Sequence, residues 1–311
     1  MSITLVTGGA GFIGSHIATT LVERGDRVRV LDNFSTGKQE NLEHITKSVE
    51  VFDADLLSED DLHRAVRGVD VVFHQAALAS VPRSVSEPML SFQQCVTGTV
   101  MLLDAARQAG VKRFVFAASS ACYGDQPTAA KRESDPATPL SPYAAGKVAS
   151  EMFLKAFAES YGMQTVALRY FNVFGPRQDP EGEYSAVIPK FVTRMIAGKQ
   201  PIVFGNGRQS RDFVYVGDVV AANLLAAEAD GVAGQVFNIG CGRQTDLLDL
   251  ITAINNSLGT NLEPEFQPAR AGDVMESMAD ISAARRDLGY EPQIDFQAGL
   301  DLSIEYYRSV A

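Results

Sequence analysis

The stretch Thr7-Gly8-Gly9-Ala10-Gly11-Phe12-Ile13-Gly14 follows the apolar run Ile3 to Val6 without a gap and leads straight into residues of helical periodicity. Strand, glycine turn and helix start, in that order, form a place where a nucleotide pyrophosphate can rest on helix N–H groups. Gly8 permits the tight turn, Gly11 lets the backbone come close to phosphate, and Gly14 lets the helix lie against the strand. A glycine pattern alone also describes an ordinary strand-to-helix turn. The context is stronger, because a second apolar run, Val28 to Leu31, ends in Asp32, at the distance where a carboxylate accepts hydrogen bonds from a ribose 2′-OH.

Further apolar runs continue the alternation with helical segments: Val49–Phe52, Val69–Phe73, Phe114–Ala117 and Thr165–Leu168. Such alternation predicts right-handed βαβ crossovers and a parallel sheet covered on both faces. The fold class is therefore α/β, a Rossmann-type doubly wound parallel sheet, with ligands bound outside the carboxyl ends of the strands. Past about residue 172, breaks such as Gly175-Pro176, Gly205-Asn206-Gly207 and Pro264 to Gly272 mark a smaller mixed α/β substrate domain. The expected division is residues 1–171 for the nucleotide and 172–311 for the substrate, some later segments returning to the first domain. Short strands are predicted at Phe213–Val216 and Val236–Ile239, and helices at Ile188–Ile196, Leu247–Leu258 and Gly299–Tyr307.

At 311 residues, 46% of them hydrophobic, the chain buries a large core, while a formal charge of −11 argues against nucleic acid or an anionic membrane as partner. An anionic substrate then needs a local arginine cluster. Cys95, Cys122 and Cys241 are widely spaced and fit no metal pattern, so they read as reduced thiols and the metal expectation is none. The first apolar run is too short and lacks the basic flank of a signal peptide, and no apolar segment reaches the ~20 residues that span a bilayer. A cytoplasmic protein acting on small molecules is expected.

Tyr143 and Lys147 are four residues apart in Ser141-Pro142-Tyr143-Ala144-Ala145-Gly146-Lys147, in a helix that Pro142 opens. That spacing puts both on one helical face. A phenol titrates near ~10, but an adjacent ammonium and a cationic nicotinamide both favour its phenolate, which then removes a hydroxyl proton as hydride leaves the same carbon. Ser119 and Ser120, after the Phe114–Ala117 strand, bring hydroxyls to the same rim, where serines also serve as turn or helix caps.

Together with His74-Gln75-Ala76-Ala77 and Arg169-Tyr170-Phe171-Asn172-Val173-Phe174-Gly175-Pro176, these segments resemble the extended short-chain dehydrogenase/reductase family. Within it the chain is most similar to the NAD-dependent UDP-hexose 4-epimerases, a likeness carried nearly end to end by Ser210-Arg211-Asp212-Phe213-Val214-Tyr215-Val216 and Arg270-Ala271-Gly272-Asp273-Val274. The resemblance implies a catalytic set of Ser119, Tyr143 and Lys147. It implies NAD held by Gly8, Gly11, Phe12, Ile13, Gly14, Asp32, Asn33, Asp55, Leu56, Ala76, Tyr143 and Lys147. Asn172, Arg211 and Arg270 would hold the pyrophosphate of a UDP-sugar, with Val187, Val203, Phe204 and Asp273 around uridine and Ser120 near the sugar. The reaction implied is removal of hydride from the sugar C4 and its return to the other face of a 4-keto intermediate. Asp32 favours NAD over NADP, since a carboxylate there repels a 2′-phosphate.

Two positions depart from the family's pattern. Cys95, in Cys95-Val96-Thr97-Gly98-Thr99, stands where relatives place Asn, and Ala121 stands where they often carry a third serine. Ser277 occupies the place of a bulky tyrosine in epimerases confined to non-acetylated hexoses, which points to UDP-GlcNAc/UDP-GalNAc alongside UDP-Glc/UDP-Gal. A dehydratase would need an acid pair where this chain has Ser120 and Ala121. UDP-glucuronate 4-epimerase or decarboxylase, and a non-catalytic NAD-sensing regulator, stand as alternatives. A homodimer is expected through the helices Met89–Gln108, with Leu90, Leu102, Leu103 and Ala106, and Ser141–Tyr161, with Met152, Phe153 and Phe157.

Overall fold

The computed structural model describes residues 2–128, 130–180, 186–269 and 275–310. The first part of the chain runs β1 (Ile3–Thr7), α1 (Phe12–Glu23), β2 (Arg27–Asp32), β3 (Val49–Asp53), α2 (Glu59–Val66), β4 (Val71–His74), α3 (Val81–Ser86), α4 (Pro88–Phe92), α5 (Gly98–Gln108) and β5 (Arg113–Ser119). It continues through β6 (Ala130–Lys131), α6 (Pro142–Tyr161), β7 (Gln164–Tyr170), β8 (Asn172–Phe174), α7 (Val187–Ile196), β9 (Ile202–Phe204), β10 (Ser210–Arg211) and β11 (Phe213–Tyr215). The remainder is α8 (Val216–Glu228), β12 (Gln235–Ile239), β13 (Thr245–Asp246), α9 (Leu247–Leu258), β14 (Glu265–Gln267), β15 (Glu276–Ala279) and α10 (Phe296–Val310).

Seven strands form one wholly parallel sheet in the order β12-β7-β5-β4-β1-β2-β3. The strand order reverses between β1 and β4, which is where such sheets open a crevice for a ligand. Successive side chains alternate between the faces. On β5, Val115 and Ala117 join the core under α1 and α8, whereas Phe114, Phe116 and Ala118 join the core under α2, α5 and α6. A third core, built on Phe191, Val192, Leu250, Ile251 and Leu300, lies among α7, α9 and α10. Beside it, β13-β10-β15-β6 form a four-stranded sheet, and β8 pairs with β11. Although β12 comes late in the chain, it is an edge strand of the seven-stranded sheet. No helix among the described residues is long and apolar enough to cross a membrane.

The predicted helix Met89–Gln108 is interrupted. A π-helical turn, Gln93–Thr97, separates α4 from α5. The carbonyl of Cys95 inside it accepts hydroxyl donors from Thr99 at 2.7 Å and from Ser150 of α6 at 2.8 Å, which draw it out of the regular helical ladder. Helix α6 begins as its sequence requires: Ser141 caps it by accepting the N–H of Ala144 at 3.2 Å, and Pro142 occupies the first turn.

A polar relay crosses the sheet at the end of β4. The hydroxyl proton of Thr99 goes to the Cys95 carbonyl, so Thr99 Oγ1 must accept from His74 Nε2, at 2.9 Å, and Nδ1 must accept from Thr7 Oγ1, at 2.7 Å. His74 is thus a neutral imidazole protonated on Nε2. Burial, helped by the Lys147 charge, lowers its pKa from 6.5 to about 3. Between these values the unfolded chain binds the extra proton, so stability is lost as pH falls below about 6.5, at about 1.4 kcal/mol per pH unit for one group. In urea unfolding, His74→Gln should lose about 2–3 kcal/mol less than the wild type between pH 6.5 and 4.5. An identical pH dependence in the two proteins would show that His74 takes up its proton in the folded state.

Candidate active site

The glycine turn after β1 is a cradle defined by what a side chain would strike. A Cβ on Gly8, whose φ is +65°, would lie 2.7 Å from the Ala76 nitrogen, and one on Gly14 would lie 2.1 Å from the Gly8 carbonyl oxygen. Beside Gly11 a Cβ would meet only that same oxygen, at 3.1 Å, with open space beyond. Gly11 is the N-cap of α1 and offers no side chain to the N–H groups of Phe12, Ile13 and Gly14, which leaves them for an anion. At the end of β2, Asp32 accepts the N–H of Ala10 at 2.9 Å and that of Phe34 at 2.9 Å, one on each oxygen, and burial raises its pKa. Each oxygen retains capacity for a second bond, such as one from a ribose hydroxyl. Asn33 donates to Asp55 at 2.7 Å, Asp55 also accepts the N–H of Leu57 at 2.9 Å, and Leu56 is buried against Gly98. Ala76 closes the opposite wall. These residues fit a dinucleotide whose pyrophosphate lies over Gly11 and the start of α1.

Tyr143, Lys147 and Glu151 follow one face of α6 at successive intervals of four residues. Lys147, only 3% exposed, donates to the carbonyl of Ala117 on β5 at 2.7 Å, with Nζ 4.7 Å from the Phe116 ring centre. Burial lowers its pKa. Ser119 ends β5, caps the short turn Ser120–Tyr123 by accepting the N–H of Ala121 at 3.2 Å, and lies near enough to Tyr143 to act on its phenol. One serine therefore serves both as the cap and as a member of the polar cluster. Ser120, next to it, is partly exposed on the same rim.

The electrostatics differ from the sequence expectation that Lys147 favours the Tyr143 phenolate. Lys147 Nζ is 5.8 Å from the Tyr143 ring centre and points its hydrogen bond at a backbone carbonyl. Burial dominates and pushes the phenol well above its ordinary value, with the neighbouring Ser119 pulling the other way. The chain's own residues therefore keep Tyr143 protonated at neutral pH. Further along α6, Glu151 takes two hydrogen bonds from Arg169 of β7, at 2.9 and 2.7 Å, in a fully buried ion pair that holds the helix to the sheet.

Ser119 pairs in register with Tyr170 on β7, and two residues beyond Tyr170 stands Asn172. Asn172 lines a cavity of about 710 Å³, together with Val187, Phe204 and Arg211. Val203 does not line it. On β9 its side chain alternates with those of Ile202 and Phe204 and is wholly buried in the third core, so it is a packing residue. Arg270 and Asp273 lie outside the described residues. Ser277 stands on β15 directly beside Arg211 of β10. Sequence reasoning missed Lys190, Arg194, Gln209 and Phe213, which also line the cavity. The signal for two of them was present, since Val187, Lys190 and Arg194 recur at the spacing of one helical face.

Over residues 4–240 the chain matches the NAD dependent epimerase/dehydratase family. It is 40% identical over 316 residues to a UDP-glucose 4-epimerase of Mycolicibacterium smegmatis, with 98% of both chains covered. Among solved structures, a UDP-N-acetylglucosamine 4-epimerase from Methanobrevibacter ruminantium M1 in complex with UDP-N-acetylmuramic acid superposes with a TM-score of 0.96 at 40% identity, covering 100% of this chain and 99% of that one. A UDP-glucuronic acid 4-epimerase from Bacillus cereus in complex with UDP-glucuronic acid and NAD is more distant, at 29% identity and a TM-score of 0.91, covering 99% of this chain and all of that one. The seven-stranded Rossmann sheet, the glycine cradle and the matched residues agree: the chain belongs to the NAD dependent epimerase/dehydratase family of extended short-chain dehydrogenases/reductases.

Proposed function

We propose that this protein is a cytoplasmic, homodimeric isomerase that interconverts UDP-hexoses differing at C4, UDP-GlcNAc/UDP-GalNAc and UDP-Glc/UDP-Gal. The observation that carries the reading is the meeting of Tyr143, Ser119 and Lys147 on the rim that also bears the Gly8–Gly14 cradle, next to a cavity lined by Asn172 and Arg211. Bound NAD supplies the hydride acceptor and, when oxidised, a positive charge that favours the Tyr143 phenolate. Tyr143 takes the proton of the sugar 4-OH and later returns one, while Ser119 hydrogen-bonds the reacting oxygen. Lys147 anchors α6 to β5 and contributes its charge to the cofactor pocket. The guanidinium fork of Arg211 suits a pyrophosphate, and the amide of Asn172 adds a donor. Hydride leaves C4 and returns to it, so the reaction is redox-neutral overall. UDP-glucuronate 4-epimerisation or decarboxylation is the second reading, and turnover of UDP-glucuronate in preference to UDP-hexoses would select it.

Support for the homodimer comes from the outer surfaces of α3, α4 and α6. Leu102, Leu103, Ala106 and Phe157, which the sequence suggested for an interface, are buried against the sheet instead. The residues left on the outside include Val85, Met89, Phe92, Met152, Phe153 and Tyr161, an apolar set in which Met89 is 67% exposed. The three cysteines are free thiols, in keeping with a reducing compartment.

Three outcomes are expected. Denatured protein should release NAD, and Tyr143→Phe should retain it while losing about 10²–10⁴-fold in kcat on UDP-hexoses followed by NMR; full turnover by the variant rules out catalysis by this set. Ser277→Tyr should abolish turnover of the acetylated pair and spare UDP-Glc/UDP-Gal, whereas unchanged activity on UDP-GlcNAc removes the pocket argument. Light scattering should give twice the chain mass, reduced to one chain in Phe92→Glu/Met152→Glu; a monomeric wild type contradicts the dimer.

A further inference from the structure

Asp212 is the single residue between β10 and β11, and its side chain is fully buried. Its carboxylate is met by backbone N–H groups from two distant segments. Oδ1 accepts from Cys241 at 2.8 Å, and Oδ2 accepts from Gly242 at 2.9 Å and from Ala279 at 3.0 Å. Cys241 to Arg243 follow β12, the edge strand of the seven-stranded sheet, whereas Ala279 ends β15 in the four-stranded sheet. The backbone carbonyl of Asp212 accepts the N–H of Asn172 at 3.0 Å. Approach is so close that a Cβ on Gly240 would stand 2.8 Å from Oδ2 of Asp212 and 2.8 Å from the Ala279 Cβ.

A carboxylate suits this junction. Its two oxygens are both acceptors and take all three N–H groups, whereas an asparagine would turn an NH₂ toward at least one of them. The donors also offset the cost of burying the charge. Next to the junction are two groups that face the cavity: Arg211 is the preceding residue, and Asn172 hangs on the Asp212 carbonyl; Ser277, two residues before Ala279, stands in register with Arg211.

We infer that Asp212 is a positioning residue whose carboxylate locks the edge of the cofactor-binding sheet to the small sheet and thereby sets where Arg211 and Asn172 stand. The inference rests on the epimerase reading, in which those two residues hold the UDP pyrophosphate. The carboxylate never touches the substrate. It fixes the backbone from which the arginine and the amide reach, and couples the occupied cavity to the Cys241–Arg243 turn, none of whose residues lines it.

The test uses the full chain with its own dinucleotide. Asp212→Asn should raise the Kd for UDP, measured by calorimetry, and the KM for UDP-hexose about tenfold, as expected for a buried donor left unpaired, with kcat changed less than about threefold and the released NAD unchanged. An unchanged Kd, or a parallel loss of kcat and bound NAD, overturns the inference. If the variant does not fold, the wild type decides: adding UDP should slow hydrogen exchange in Cys241–Arg243 as well as in the cavity strands, and protection confined to the cavity strands overturns the coupling. Wild-type protein that binds no UDP removes the epimerase reading and this inference with it. UDP binding by the wild type with no effect of Asp212→Asn removes this inference alone.

Discussion

The architecture depends on a close approach of backbone to backbone. The turn after β1 comes within 2.7 Å of the Ala76 nitrogen at the position of a Gly8 Cβ, and the first turn of α1 presses on that turn at Gly14. Only glycine allows either contact. With these glycines in place, the ends of β1 and β4 meet at the point where the strand order reverses, α1 begins at the crevice, and Asp32 ties the end of β2 to Ala10 and Phe34. An alanine at Gly14 would drive the helix off the strand and remove the anion site together with the packing, so fold and cofactor cradle share one steric requirement.

A second constraint is the price of charge in the interior. Lys147, Glu151, Arg169, His74 and Asp212 are all buried, and each has a local partner: an ammonium on a carbonyl, a carboxylate on a guanidinium whose Nη1 is left without a hydrogen bond, a neutral imidazole between hydroxyls, and a carboxylate among amide N–H groups. Breaking a buried pair such as Glu151–Arg169 from one side costs about 3–5 kcal/mol, because the remaining charge has no water to return to. Such groups hold elements in register more than they add stability. Glu151 and Lys147 fix α6, and with it the height of Tyr143 above the rim. Burial raises the pKa of that phenol further above neutrality.

Much of this was legible in the residues. The strand and helix periodicities located every strand of the main sheet to within about two residues, because most of these strands are largely buried and rich in apolar residues, the edge strand β3 with its exposed Glu50 and Val51 being the exception. The glycine turn, the placement of Asp32 and Ser119 at the ends of β2 and β5, and that of Tyr143 and Lys147 on α6 were legible because each is tied to spacing along one strand end or one helix. Val203 was assigned from resemblance, which gives a position and not a direction, and strand alternation turns that side chain into the core. Lys190 and Arg194 were overlooked because charged residues on a helix ordinarily face water, and only the cavity shows that these face a site. The apolar face of α6 divided in the same way, Phe157 inward and Phe153 outward, which periodicity over a long amphipathic helix does not resolve.

By itself the sequence determined the parallel sheet, the dinucleotide cradle, the Tyr143–Lys147 face and the membership of the chain in its family, since all four follow from local periodicity and from residues only a few positions apart. Tertiary structure alone decided that Lys147 spends its ammonium on the Ala117 carbonyl, that the Met89–Gln108 helix carries a π turn, and that Asp212 joins two sheets. Each of these is set by partners tens of residues distant or on another element, and hydrogen bonds of that kind leave no period in the chain to read.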